Sequence, residues 1–259
     1  MSPSNAPWTA ILLAGQRPGT DPLAAHFGIA AKALVPIAGR PMLSHMLATL
    51  LAVESIGRIL VLAQDAEALL AATGIRDPRI ATGVAGAGIS ASVSAFAGGP
   101  QAPWPVFVTT ADHPLLTPPM VRHFLDAARG ADVSVGVVGR RTLLAAYPEN
   151  RRTWLPFADD AFTGANLFAL TGPDARHGLA AWAEVERDRK KAWTLIRHFG
   201  LFLALRALTR TISLRGAIAR AARSLGFTAK PVILPFPEAA IDVDKPADHT
   251  LAEAILIAR

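Results

Sequence analysis

From Trp8 to about residue 187 the chain alternates short, almost wholly apolar runs with longer amphipathic stretches. Apolar runs of strand length that lack strict polar alternation are strands buried on both faces, and the amphipathic stretches between them are the helices that cover those faces. The pattern therefore specifies an α/β sheet with helices on both sides. Strands are expected at residues 8–14, 59–63, 106–110, 133–138 and 166–170, and helices at 41–53, 65–72, 90–97, 118–128 and 173–186. Residues 231–234 and 240–243 read as returning strands and 245–258 as a closing helix.

Composition narrows the class further. With 51% hydrophobic and 18% charged residues, the 259-residue chain has the material for a packed core, which excludes general disorder. The absence of cysteine excludes disulfides, thiolate metal sites and a cysteine nucleophile, so any metal is held by oxygen or imidazole. No basic region precedes the first apolar run, so no secretory signal is expected and the expected compartment is the cytoplasm. The long uncharged stretch 80–111 is broken by Gly83, Gly86, Gly88, Gly98, Gly99, Pro100, Pro103 and Pro105, so it is not a membrane span.

The formal charge of +6 is concentrated in one place. Between Arg187 and Lys230 there are 11 Lys and Arg against a single acid, Asp188. This segment, 187–230, reads as a basic helical hairpin inserted before the last strands of a single domain spanning 1–259. Its second half is a helix capped by Ser213 and stopped at Gly226. Trp193, Phe199, Phe202 and Leu205 flanked by Arg189, Lys190, Lys191, Arg206 and Arg210 suit an anionic membrane surface, while core packing or a subunit interface in a homo-oligomer fits the same apolar residues.

Three motifs carry chemistry. In 11–43 a strand runs into a loop at Gly15, where backbone N–H groups can cradle phosphate, and the same mouth receives Arg17 and Lys32. Neither a Walker A loop nor a G-x-G-x-x-G fingerprint is present. In 105–116 an apolar strand delivers Asp112 to the carboxyl edge of the sheet, as a ligand for Mg²⁺ or as a turn cap. His113 beside it reads as a surface turn residue. In 239–255 Asp242 and Asp244 lie two apart, so in an extended segment both face one metal or one basic group, while Asp248 caps the closing helix. A strand-end carboxylate pair is equally an ordinary surface feature.

In order and separation these motifs resemble those of the MobA-like nucleoside-triphosphate transferases. Leu13-Ala14-Gly15 is similar to the opening of the family's nucleotide loop, with Gln16 and Arg17 following directly. Lys32-Ala33-Leu34 with Gly39-Arg40-Pro41-Met42 resembles its Lys-x-Leu … Gly-x-Pro-Met/Leu segment. Ala111-Asp112-x-Pro114-Leu115 resembles the first metal carboxylate, and Asp242-x-Asp244-x-Pro246-x-Asp248 the late acidic signature. Gly88-x-Ser90-x-Ser92-Val93 is similar to the base-side stretch of cytidylyltransferases, and Thr163-Gly164-Ala165-Asn166 to the position where relatives bind the phosphorylated substrate.

The resemblance implies a Rossmann-like, three-layer nucleotidyltransferase sheet of GT-A-like kind. It implies Mg²⁺-dependent transfer of a nucleotidyl group from an NTP, CTP first, to a phosphorylated sugar, polyol or lipid-head-group precursor. Lys32, Arg17 and Asp112 would be catalytic, and Asp112 and Asp244 would hold the metal. Leu13, Ala14, Gly15, Gln16, Lys32, Gly88 and Ser92 would bind nucleotide, and Gly164 and Asn166 the acceptor. No DNA partner is expected. The alternatives are a molybdenum-cofactor-type guanylyl- or cytidylyltransferase, a glycosyltransferase, and a non-catalytic protein on a degenerate transferase fold. The last would meet RNA or the inner face of the membrane through 187–230.

Overall fold

Residues 6–16, 19–187 and 211–259 are described by the structure, a computed structural model. Arg17 and most of the basic segment, 188–210, lie outside them. Ten strands form among these residues: β1 (Trp8–Leu13), β2 (Pro36–Ile37), β3 (Arg40–Pro41), β4 (Ile56–Ala63), β5 (Ile80–Val84), β6 (Val106–Thr110), β7 (Val133–Gly139), β8 (Leu155–Pro156), β9 (Ala161–Leu170) and β10 (Ala229–Ile233). The principal sheet runs β10-β7-β9-β6-β1-β4-β5, with β8 hanging on β9. Strand β9 is antiparallel to β6 and β7, whereas the β10–β7, β6–β1, β1–β4 and β4–β5 pairs are parallel.

The helices are α1 (Pro22–His26), α2 (Met42–Leu51), α3 (Ala66–Thr73), α4 (Ile89–Phe96), α5 (Pro118–Ala128), α6 (Arg140–Ala146), α7 (Ala175–Arg187), α8 (Leu214–Ser224) and α9 (Pro246–Ile257). Side chains alternate along the central strands as the pleat requires. On β1, Ala10 and Leu12 face one core with α2 and α5, while Ile11 faces a second with α4 and α7. On β4, Ile59 and Val61 join the first and Leu60 and Leu62 the second. The sheet is thus buried on both faces, which is why these strands read as continuous apolar runs.

Expected and observed elements agree over most of the sheet. Helix 118–128 and strand 106–110 keep their expected limits as α5 and β6. The expected strand at 240–243 does not form: Pro237–Ala240 is a 3-10 turn and the next residues pair with no strand. Pro237 favours the turn, and Ile241 and Val243 are instead buried singly in the core. Pro41 precedes α2 instead of opening it, because β2 and β3 form a hairpin through Ala38 and Gly39. Both hold positive φ, 45° and 77°, the geometry of a type I′ turn. Ser213 caps α8 as expected, accepting from the Gly216 N–H at 3.2 Å. No helix among the described residues is long and apolar enough to cross a membrane.

One buried histidine links this core to pH. His45 on α2 donates from Nε2 to the Ile37 carbonyl at 2.9 Å, and its Nδ1 meets the Arg40 guanidinium at 3.4 Å. Burial pushes its pKa below the ordinary value; the Arg40 charge acts in the same direction and the Ile37 carbonyl opposes it. The unfolded chain therefore takes up a proton that the folded chain refuses. Stability from this site is full above about pH 6.5 and is lost as pH falls through the folded-state value. Urea midpoints at pH 7.5 and 5.5 are expected to differ less in His45→Gln than in the wild type.

Candidate active site

The loops after β1 and β6 leave the sheet at the point where strand order reverses, since β1 lies between β4 and β6. That crevice is where open α/β sheets bind ligands. After Leu13, the Ala14 N–H bonds the Leu62 carbonyl at 2.8 Å and keeps the loop on the sheet edge. Gly15 then passes under Gln64, and a Cβ there would stand 3.2 Å from Gln64 Oε1. The Gln16 N–H donates to Gln64 Oε1 at 3.1 Å, and Gln64 Nε2 donates to the Gln16 carbonyl at 2.9 Å. The Gln16 side chain in turn accepts from the Lys32 N–H at 3.4 Å. Gln64 thus clamps the loop, and Gln16 ties it to Lys32.

Lys32 begins a 3-10 turn, Lys32–Leu34, and sends its ammonium back to the sheet edge. Nζ donates to Asp112 Oδ2 at 2.7 Å and to Asp244 Oδ1 at 2.5 Å. Burial alone would lower the Lys32 pKa, but the two carboxylates outweigh it and raise it. Burial would raise that of Asp112, and the Lys32 charge overcomes this and holds the carboxyl below its ordinary value. Lys32 and Asp112 are therefore both charged at neutral pH. Asp112 Oδ1 is buried and without a hydrogen-bond partner among the described residues. No group of three or more His, Asp or Glu able to hold a metal occurs there. An orphaned carboxylate oxygen and a second carboxylate nearby suit Mg²⁺, which takes one or two carboxylates and completes its shell with phosphate oxygens and water.

Asp242 and Asp244 do not meet one partner as their spacing suggested. Arg152 Nη1 binds Asp242 Oδ1, Arg152 Nη2 reaches the Asp242 carbonyl at 3.2 Å, and Asn166 Nδ2 donates to Asp242 Oδ2 at 3.0 Å. Asp244 goes to Lys32 instead. Between them the Val243 N–H bonds the Asp112 carbonyl at 2.8 Å, and the Val243 side chain is buried. The segment forms no strand and crosses between two cationic sites, so neighbouring carboxylates serve different ones. Asp248 Oδ2 accepts from the Asp244 and Lys245 N–H groups, each at 3.3 Å, and so caps α9.

His113 is not a surface residue, being 1% exposed. Its Nε2 contacts the Glu238 carbonyl at 3.3 Å, and burial, outweighing the pull of Asp242, depresses its pKa.

Antiparallel β9 carries its first residues to the same edge. The register pairs Val108 with Phe168, and the strand bulges opposite Val135–Val137, leaving Asn166 at φ 53°. Asn tolerates this left-handed geometry better than most residues. Gly164 faces open space. At the other side of the crevice Gly88 precedes α4, and Ser92 Oγ donates to the Gly88 carbonyl at 2.6 Å and accepts from the Gly86 N–H at 2.9 Å. The Ser92 hydroxyl shapes the loop. Glu186 of α7 occupies the α4 N-terminus, accepting from the Ile89 and Ser90 N–H groups at 2.8 and 2.9 Å.

Arg152, Gln64 and Glu186 were not anticipated from sequence. Gln64 alone carried a signal, as the first polar residue after an apolar strand that ends at the Gly15 edge.

The model of the MobA-like NTP transferase domain matches residues 10–220. The chain belongs to this family. A hypothetical transferase from Thermus thermophilus is 30% identical, with a TM-score of 0.78 over 94% of this chain and 99% of that one. The 4-diphosphocytidyl-2C-methyl-D-erythritol synthase of Anaerococcus prevotii shares the fold at 12% identity, with a TM-score of 0.58 over 98% and 99% of the two chains. A CMP:2-keto-3-deoxy-manno-octonic acid synthetase complexed with CTP does so at 16% identity, with a TM-score of 0.58 over 97% and 99%. No curated protein matches the sequence. As a MobA-like NTP transferase the chain has a Rossmann-like α/β nucleotidyltransferase fold, which the mixed central sheet and its flanking helices display.

Proposed function

We propose that this transferase moves a nucleoside monophosphate from an NTP to a phosphorylated small molecule and releases pyrophosphate. The observation that carries this reading is the convergence of Lys32, Asp112 and Asp244 beside the Gly15 loop. CTP is the first candidate donor, because structural neighbours include a cytidylyltransferase and a synthetase holding CTP. A phosphorylated sugar or polyol is the first candidate acceptor.

The chemistry asks little of the protein beyond position and charge. The acceptor phosphate is mostly ionised at neutral pH, its second pKa being near 6, so its oxygen attacks the α-phosphorus without a general base. The new O–P bond forms as the bond to the β-phosphate oxygen breaks, and the electron pair leaves with pyrophosphate. Leu13, Ala14, Gly15 and Gln16 present the loop to the triphosphate, and Gly88 and Ser92 shape the wall beside the base. Lys32, with Arg17, neutralises the charge that grows on the leaving group. Gly164 leaves room at the acceptor side, where Asn166 and Arg152 orient the incoming molecule. Asp112 and Asp244 would hold Mg²⁺, which when bound supplies Lewis-acid neutralisation at the α-phosphate.

A pyrophosphate-release screen of the four NTPs against phosphorylated polyols, sugars and cofactor precursors tests the reading. Release is expected with one NTP and one acceptor class, is lost without Mg²⁺, and needs more Mg²⁺ in Asp112→Asn and Asp244→Asn. No release with any pair, together with no calorimetric heat for any NTP plus Mg²⁺, overturns it.

A further inference from the structure

Lys32 has two tasks that it cannot perform from one place. Its ammonium lies 2.7 Å from Asp112 and 2.5 Å from Asp244, the same carboxylates that suit a divalent cation. A lysine that neutralises a triphosphate must point at phosphate oxygens instead.

We propose that the Lys32 ammonium holds the cation position in the nucleotide-free protein and yields it only when a nucleotide arrives to receive the displaced charge. The proposal rests on the nucleotidyl-transfer reading and adds an order of binding to it.

Charge and surroundings both favour this exchange. Lys32, Asp112 and Asp244 together sum to −1. Adding a free divalent ion to them would leave an excess of positive charge, with the ammonium and the ion competing for the same oxygens. A triphosphate reverses that balance, because its own negative charge accepts the ammonium. The exchange has a route, since the Asp244 side chain is 63% exposed and that of Lys32 only 16%. The outer carboxylate meets solvent while the cation between the two is shielded. Buried Asp112 Oδ1 lacks a partner among the described residues, so the ammonium leaves the pocket's inner oxygen unsatisfied. A hard cation with several coordination positions has a use for that oxygen. The Lys32 backbone need not travel, because its N–H is tied to Gln16 on the nucleotide loop, leaving the long side chain to swing between carboxylates and phosphates.

Free divalent cation should therefore be kept out by the wild-type protein and admitted once the ammonium is removed. Mn²⁺ alone, added to the full chain without nucleotide and followed by the electron paramagnetic resonance signal of free Mn²⁺, reads this directly. Lys32→Met, which keeps the side-chain length and deletes the charge, is expected to bind Mn²⁺ at least about tenfold more tightly than the wild type. Lys32→Arg, which keeps the charge, should stay within about threefold of the wild type and guards against an effect of altered folding. The gain should vanish in Lys32→Met combined with Asp244→Asn. Equal Mn²⁺ affinity in wild type and Lys32→Met overturns the exchange, as does a gain that survives Asp244→Asn. Neither result bears on nucleotidyl transfer, which the pyrophosphate screen tests separately: release of pyrophosphate by a wild-type chain whose Lys32→Met variant gains no Mn²⁺ affinity would remove the exchange and leave the transferase.

Discussion

Lys32→Ala is expected to lower turnover by about 10²–10³, equivalent to about 2.7–4 kcal/mol of transition-state stabilisation, the usual effect of deleting one donor aimed at developing charge. The loss should fall on kcat and on kcat/KM alike, because the charge on the departing pyrophosphate grows only as the bond breaks. A variant that raised KM and spared kcat would show that Lys32 merely holds the ground-state triphosphate. Stability should fall as well, since Asp112, only 21% exposed, loses the cation that offsets its burial, whereas Asp244 faces water and is readily rehydrated. Steady-state pyrophosphate release alongside a urea midpoint separates the two losses.

The second large effect is expected on stability. Arg152 and Asp242 have side chains only 15% and 20% exposed, and Asp242 also accepts from Asn166. Asp242→Ala strands a guanidinium with little access to water and orphans the Asn166 amide. Removing one member of a largely buried pair costs about 3 kcal/mol, toward the lower end of the usual range because some exposure remains. The loss should appear as a lower urea midpoint with an unchanged slope. Asp242→Asn, which keeps an acceptor oxygen for Arg152 but turns an amide N–H toward Asn166, should lose less. Equal midpoints for Asp242→Ala and the wild type would show that the contact is solvated and incidental.

The central fold was legible because its strands are buried on both faces and stand out as apolar runs. Strand β5 was not, and the reason is local. Ile80–Val84 lies at the sheet edge with no residue fully buried, and Gly83 sits where a Cβ would fall 2.8 Å from Leu62 and 2.9 Å from Phe96. Neither alternation nor an apolar run survives there. The short helix α1 was also missed, although Asp21 caps it by accepting from Leu23 and Ala24. At five residues it is too brief to show periodicity.

Lys32, Asp112 and Asp244 could be found because each lies in a motif with its own local grammar. Arg152 and Glu186 could not, since each acts on a partner 90 or more positions away, and nothing in their own neighbourhoods announces it. The spacing of Asp242 and Asp244 misled for a related reason. The segment forms no strand, so no pleat fixes the two side chains on one face, and each carboxylate meets whichever cation the rest of the chain brings within reach.

That three-residue crossing from Asp242 to Asp244 works as a yoke. Its middle residue is pinned by a buried side chain and by the Asp112 carbonyl, while its two arms grip Arg152 on one side and Lys32 on the other. Because one short, anchored backbone segment carries both arms, a substitution that shifts one ion pair is expected to disturb the other. On the proposed reading, redesign around Arg152 for a different acceptor is therefore expected to disturb the Lys32 side as well, and compensating changes are to be sought at Lys32 and Gln16 before any residue that touches the new molecule.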